Sequence, residues 1–386
     1  MTTYLGLTWD HPRGTAALRR AAEDFSSNAD GDGLVWESQP LEGFESHPIE
    51  ELCAAYDLVV LDHPHLGDAL AAGCLRPLEE VFPEGLVRAW AGGAVGASGG
   101  SYRFAGRHWA APLDAATQVA AGHRAALPEL PGTWAEVIEL AGRAPVALSL
   151  GGPHALLTFL SLCNALGEAP ATEPGRPLVS EETGRRAVEA MEELFARTDP
   201  ATAALNPIAL LGRIAEGRLV YCPLVYGYVN YSRRDAGAPV RFADVPRLLP
   251  GGPLGSVLGG TGLAVTRRAR LSPELVEHLA GLLSPQAQTS FLPAHEGQPG
   301  SRQAWTDPAA DADACGFYQD TLATTEAAWV RPRLPGWPVL QTALSARLRD
   351  GLLAGEQPSG IVTALLDAWE RHARPMPSAA AFDPAP

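Results

Sequence analysis

Residues 102–118, YRFAGRHWAAPLDAATQ, constrain the fold of this chain more than any other stretch. Tyr102 and Phe104 lead to the turn Ala105-Gly106, and the chain resumes at Trp109, which predicts a short hairpin. The chain then crosses Pro112 into the small, polar segment Leu113-Asp114-Ala115-Ala116-Thr117. A helix-like run follows, then the loop Leu130-Pro131-Gly132 and the segment Thr133-Trp134-Ala135-Glu136. A hairpin that feeds a crossover of this kind marks the place where a chain leaves one α/β lobe and enters another. Asp114 then lies beside the cleft between the lobes.

The flanking sequence fits such a division. Residues 4–9 read as an apolar strand ending in the turn Asp10-His11-Pro12-Arg13-Gly14, with Thr15 placed to cap a helix over 16–26. A strand at 34–37, a polar helix near 46–55, an apolar strand at 57–61 and a helix at 66–72 follow. This alternation predicts a parallel sheet covered on both faces. Ligands of such sheets gather at the carboxyl ends of the strands, here the loops 9–13 and 62–65. Further on, a strand at 146–150 ends in Gly151-Gly152-Pro153-His154, which opens a helix over 155–166. Helices at 181–197 and 207–216 precede a strand at 219–223. A loop over 247–260 carries Gly259-Gly260-Thr261 to a strand at 262–265. Helices at 273–283 and 358–372 follow, and the tail 374–386 is expected to be disordered.

Composition narrows the function classes. The 386 residues suffice for two domains. A net charge of -15 with no basic stripe argues against nucleic acid as a partner. No apolar run approaches the roughly 20 residues that cross a bilayer, so membrane insertion is not expected. The chain contains no lysine. Schiff-base chemistry and a Walker phosphate loop, which need that ammonium, are excluded. The five cysteines, Cys53, Cys74, Cys163, Cys222 and Cys315, form neither a disulfide framework nor a zinc pattern, which suits a reducing compartment. Met1-Thr2-Thr3 runs straight into the first strand without a leader pattern, so the chain as written is expected in the cytoplasm. No cofactor motif is evident. Gly96-Ala97-Ser98-Gly99-Gly100 fits the nucleophile-elbow expression but lacks the strand before it and the helix after it.

Four pieces, taken in order, resemble the extracellular solute-binding proteins of ABC sugar importers, the maltose-binding-like class. The first is the hairpin and crossover of 102–118. The second is Pro131-Gly132-Thr133-Trp134-Ala135-Glu136-Val137, similar to a family helix start. The third is the helix-to-strand step Ile214-Ala215-Glu216-Gly217-Arg218-Leu219. The fourth is Gly259-Gly260-Thr261-Gly262-Leu263-Ala264-Val265 together with Leu282-Leu283-Ser284-Pro285-Gln286-Ala287-Gln288. The resemblance implies a type II periplasmic-binding-protein-like fold, with two α/β lobes joined by hinge strands and a ligand cleft between them. Lobe one would hold 1–112 plus 261–310, and lobe two 113–260 plus 311–373. It also implies a small-molecule ligand and, if the chain is exported after removal of a leader, an extracytoplasmic lipoprotein working with an ABC permease.

Candidate ligand-binding residues follow from strand ends and loops. Trp9 offers a face for a sugar ring, and Asp10 and His11 offer polar groups beside it. Asp62, His63 and His65 form the densest polar cluster, fit for ligand contact, for acid and base work, or simply for capping the next helix. The His-x-His pair lacks a third ligand at a diagnostic spacing, so no metal is predicted. Asp114 and Thr117 follow the crossover. Gly152 and His154 stand at a helix start with free backbone N–H groups. Tyr226, Tyr228 and Tyr231 line either the cleft or the core. Gly260 and Thr261 allow close backbone approach. Arg302, Trp337 and His295 lie in loops of the last third, where Arg302 can pair with an acidic ligand.

Two readings result. One is a solute-binding protein for a small polar ligand, sugar-like or carboxylate-bearing, that closes by hinge motion. The other is a cytoplasmic enzyme on the same scaffold, an isomerase, lyase or hydrolase, moving protons through His63, His65, Asp62, Asp114 and His11.

Overall fold

The structure, a computed structural model, describes residues 2–28 and 32–376. The chain begins with β1 (Thr3–Trp9), α1 (Pro12–Asn28), β2 (Gly33–Gln39), α2 (Leu41–Ser46), α3 (Ile49–Ala55), β3 (Leu58–Leu61) and α4 (Leu66–Ala71). β1 lies between β2 and β3, parallel to both. In β3, Leu58 and Val60 pack with Leu18, Phe25 and Trp36 on one face of the sheet, while Val59 and Leu61 pack with Ile49, Leu66 and Leu70 on the other. Both faces are covered, so the strand is apolar throughout rather than alternating.

The hairpin is present as β4 (Arg103–Phe104) and β5 (Arg107–His108), with Ala105 and Gly106 both at positive φ in the turn. Next comes β6 (Ala111–His123), followed later by β7 (Tyr221–Tyr226), β8 (Val240–Ala243) and β9 (Leu258–Val265). β6 has two sets of neighbours. Residues from Ala111 to Thr117 pair antiparallel with β9, and residues from Gln118 onward pair with β7 and β8. β9 in turn pairs with β3, so one sheet with the path β2-β1-β3-β9-β6-β7 runs through both lobes. The second core gathers Trp134, Phe159, Met191, Leu210 and Tyr221 with the C-terminal Trp337, Leu344 and Trp369.

Several expectations are corrected. The sheet is mixed rather than parallel, because β9 enters it antiparallel to β3. The helix-like run after 117 is the second half of β6. Ala115, Ala116, Ala120 and Ala121 are fully enclosed between neighbouring strands, and this tertiary setting overrides the helix preference of alanine. Gly259-Gly260-Thr261 lies inside β9, not in a loop. α1 begins at Pro12, a residue that loses nothing at a helix's first position, and the Thr15 hydroxyl donates back to the His11 carbonyl at 3.0 Å instead of capping. The 46–55 helix is two helices parted at His47-Pro48, since a residue before proline resists the helical region. Residues 146–150 are extended but form a single bridge, Val146 to Tyr221, and the strand expected at 219–223 starts later, at Tyr221. Most of the tail, residues 377–386, lies outside the described residues.

Where β6 meets β9 the register shifts between Pro112 and Asp114. Proline has no N–H for the ladder, and a bulge accommodates it. Opposite, Gly260 adopts φ +89°, and a Cβ there would stand 2.5 Å from the Asp114 carbonyl oxygen. Only glycine meets both conditions. The bulge sets Asp114, Gly260 and Thr261 side by side where the two lobes join.

Candidate functional site

The site is built from strand ends, helix starts and the bulge. Trp9 closes β1, and its indole lies flat against Gly14, where a Cβ would be 2.5 Å from the ring. One turn on, Arg13 is buried. Its Nε and Nη2 donate to Asp114 Oδ2 at 2.6 Å and Oδ1 at 2.5 Å, and its Nη1 donates to the Gly227 carbonyl at 2.9 Å. The guanidinium stands 4.5 Å over the Tyr228 ring and 5.8 Å from that of Trp9. Burial works against its charge, but the Asp114 carboxylate more than offsets this and holds the pKa of Arg13 above its usual value.

A second buried pair lies across the cleft. Arg331 donates through Nη2 to Asp62 Oδ2 and through Nε to the Leu258 carbonyl at 3.0 Å. Burial pushes the Asp62 carboxyl up, but Arg331 and His63 pull it further down, and it lies below the ordinary carboxylate range. Glu45 reaches from α2 to within 3.3 Å of His154 Nε2, at the start of helix His154–Ala165. The ring of His154 meets that of Tyr226 edge-on at 5.7 Å. Thr261 Oγ1, Asp62 Oδ1 and both His154 nitrogens are buried without a hydrogen-bond partner among the described residues.

Trp9, Arg13, Glu45, Asp62, His154, Tyr226, Tyr228 and Thr261, with Leu41, Phe44, Ala116, Pro207, Gly259 and Gly260, enclose a cavity of about 60 Å³. That is room for about two waters. Cross-cleft contacts hold it narrow: Arg13 to Gly227, Arg331 to Asp62, and Asn206 Nδ2 to Glu42 Oε1 at 3.0 Å. A cavity of about 610 Å³ lies elsewhere, among Arg233, Thr289, Asp307 and Tyr318, but none of its lining side chains is a buried polar group lacking a partner. Larger cavities beside His278, Trp90 and Trp134 each hold one such atom, whereas the narrow cleft brings four together and is the better candidate.

Of the sequence candidates, Trp9, Asp62, His154, Tyr226, Tyr228, Gly260 and Thr261 line the cleft together. Others do not. Asp10 is exposed at the rim, where it accepts from Ser38. His11 packs its ring 4.8 Å from Tyr228, and its Nδ1 accepts from the Arg13 N–H. Burial, then Arg13, lowers its pKa to about 4. His63 and His65 are buried and do not line the cleft. His63 stands 3.2 Å from Asp62, and burial, then Arg331, lowers its pKa to about 4. Asp114 sits behind Arg13 and positions it. Thr117 is buried at the lobe junction, bonded to Ser256 and to the Val257 carbonyl. Gly152, at φ +57°, is exposed beside Glu45.

Four more lie away from the site. Tyr231 donates its hydroxyl to the Ile208 carbonyl. Arg302 is an exposed partner of Glu326, and His295 stacks on Phe291. Trp337 is in the core, 5.8 Å from the Trp369 ring. Ser98 of the elbow-like sequence is buried within helix Ser98–Ser101. The residues proposed for proton transfer thus do not converge on one open cavity. Among the described residues no cluster of His, Cys, Asp and Glu is arranged to hold a metal, and no helix is long and apolar enough to cross a membrane.

Sequence reasoning missed Arg13, Phe44, Glu45, Pro207 and Arg331. Arg13 carried a signal, since it lies in a loop at the end of the first strand. The others gave none, because Glu45 and Arg331 reach the cleft only through long-range packing.

No protein-family model matches the chain, and no curated protein matches it in sequence. Solved structures match nearly its whole length. The maltose-bound MalE3 of T. maritima superposes with a TM-score of 0.79 at 17% identity, covering 95% of this chain and 98% of that one. The GacH receptor of Streptomyces glaucescens GLA.O, solved unliganded and with acarbose, gives 0.77 at 16% identity over 96% and 98%. An ABC-transporter solute-binding protein from Agrobacterium radiobacter K84, in complex with ribitol, gives 0.77 at 17% over 96% and 98%. At such identities the likeness is one of architecture: this chain has the two-lobed fold of the maltose-binding-like solute-binding proteins.

Proposed function

We propose that the chain is a solute-binding protein for a small polar, sugar-like molecule, and that the two lobes close over it by hinge motion about β6 and β9. The observation that supports this reading best is the cleft lining. Aromatic faces from Trp9, Phe44, Tyr226 and Tyr228 meet buried polar atoms, Thr261 Oγ1, Asp62 Oδ1 and the two His154 ring nitrogens, that make no hydrogen bond among the described residues. Apolar faces with a few convergent polar groups are what a sugar ring requires. The likeness to binding proteins solved with maltose, acarbose and ribitol supports the same ligand class. The lobes in this reading are 1–112 with 261–310, and 113–260 with 311–373.

The cavity of about 60 Å³ is far below the roughly 300 Å³ at which ligand pockets begin, so the lobes must part to admit a solute. In a panel of neutral monosaccharides, disaccharides and polyols, at least one member should raise the melting temperature by a few degrees. The same member should reduce the radius of gyration in small-angle scattering. A panel with no effect on either quantity removes the reading. An ABC permease partner and an extracytoplasmic site belong to this proposal if a leader is removed from the native chain; otherwise the cytoplasm is the site. Fractionation of the native host with an antibody separates the two.

A further inference from the structure

The charges around the cleft are unevenly matched. Arg13 is taken up by Asp114 through two hydrogen bonds and by the Gly227 carbonyl. Arg331 is taken up by Asp62 and the Leu258 carbonyl. Each guanidinium has its own carboxylate. Glu45 has no arginine partner among the described residues. Its contact is His154 Nε2 at 3.3 Å, too poorly aligned for a hydrogen bond. His154 is 2% exposed and Thr261 3% exposed, and their side-chain polar atoms lack partners. Both line the same cavity.

The surrounding faces are aromatic. Phe44 tilts against Trp9 at 5.4 Å, and Tyr226 flanks His154. A cation already rests on such a face, since the Arg13 guanidinium sits over Tyr228. Aromatic faces attract cations, and a spare carboxylate beside them strengthens that preference. A carboxylate-bearing solute would meet Glu45 and Asp62 with no guanidinium free to receive it, and like charges repel strongly in a dry cleft.

We propose that the solute carries a protonated amino group among its hydroxyls, as an amino sugar or amino polyol does, with Glu45 accepting from the ammonium. Its hydroxyls bond to Thr261 Oγ1 and the His154 ring. This rests on the binding reading above and sharpens it by one charge.

Calorimetry with matched triads tests it: D-glucose, D-glucosamine and D-glucuronate, and the galactose counterparts, at neutral pH. The amino member should bind about ten-fold or more tighter than the neutral one, which corresponds to one charge-assisted hydrogen bond, and the uronate least. In Glu45→Gln the ratio of amino to neutral affinity should fall to about one. In Asp10→Asn, which alters an exposed rim carboxylate, the ratio should persist. The wild-type triads decide the preference even if Glu45→Gln folds poorly. Equal or better binding of the neutral or acidic member, or a ratio that survives Glu45→Gln, overturns the amine proposal and leaves sugar binding standing. Absence of binding by every triad member also overturns it, and the neutral panel of the preceding test then decides whether the wider reading falls too.

Discussion

Arg13 shows what a single side chain settles here. A buried guanidinium without a partner is unfavourable by several kcal/mol, and Asp114 with its two hydrogen bonds removes that penalty. Arg13→Ala strands a buried carboxylate and Asp114→Ala strands a buried cation. Each should lower the unfolding free energy by about 3–5 kcal/mol. The double variant should lose clearly less than the two losses added together, because neither charge is then left alone. Denaturant titration of the four proteins measures this, and additive losses would show that the pair does not act as a unit. Asp114 was legible in the sequence because it follows a proline at a crossover. Its partner lies 101 residues earlier, at a helix start, and no local pattern links the two.

At the scale of elements, the junction of β6 and β9 decides how the lobes meet. Gly260 holds it through a left-handed backbone and a close approach to the Asp114 carbonyl. Gly260→Ala adds both backbone strain and a clash, and should destabilise the protein by about 1–3 kcal/mol or more. Hydrogen exchange should quicken at the amides of β6 and β9, while that of the helix His154–Ala165 changes only as global stability does. Equal exchange at the junction in both proteins would show that the bulge tolerates a side chain. The hairpin was readable from Ala105-Gly106. The second half of β6 was not, since an alanine-rich run is helical by preference and becomes a strand only when strands enclose it.

For the whole molecule, packing brings His11, just past the end of β1, against Tyr228, which follows β7 far along the chain. Burial, with Arg13 nearby, lowers the His11 pKa to about 4 from 6.5. In the unfolded chain the imidazole takes a proton near pH 6.5, so between those values the unfolded state binds more protons. Stability from this group is complete above pH 6.5 and is lost as pH falls towards 4. The loss from this site amounts to about 3 kcal/mol at pH 4. His63, depressed to about 4 by burial, then by Arg331, adds a loss in the same direction. His11→Gln should therefore give a flatter curve of stability against pH than the wild type between pH 6.5 and 4. Parallel curves would mean that His11 is not held in a covered site in solution.

The sequence alone determined what depends on neighbours along the chain. Apolar runs marked β1 and β3, a Gly-containing turn marked the hairpin, and strand ends marked Trp9 and Asp62, because strand period and turn geometry act over a few residues. It also excluded chemistry that needs a lysine side chain, since the chain has none. Tertiary structure decided the rest. It buried His63 and His65 away from the cleft, set Asp114 behind Arg13, and left Arg302 on the surface. It also brought Glu45 to the cleft from α2, and Arg331 from a C-terminal loop to pair with Asp62 there. Those placements depend on which surfaces exclude water and which charges find partners once the lobes pack, and neither is encoded within any single stretch of the chain.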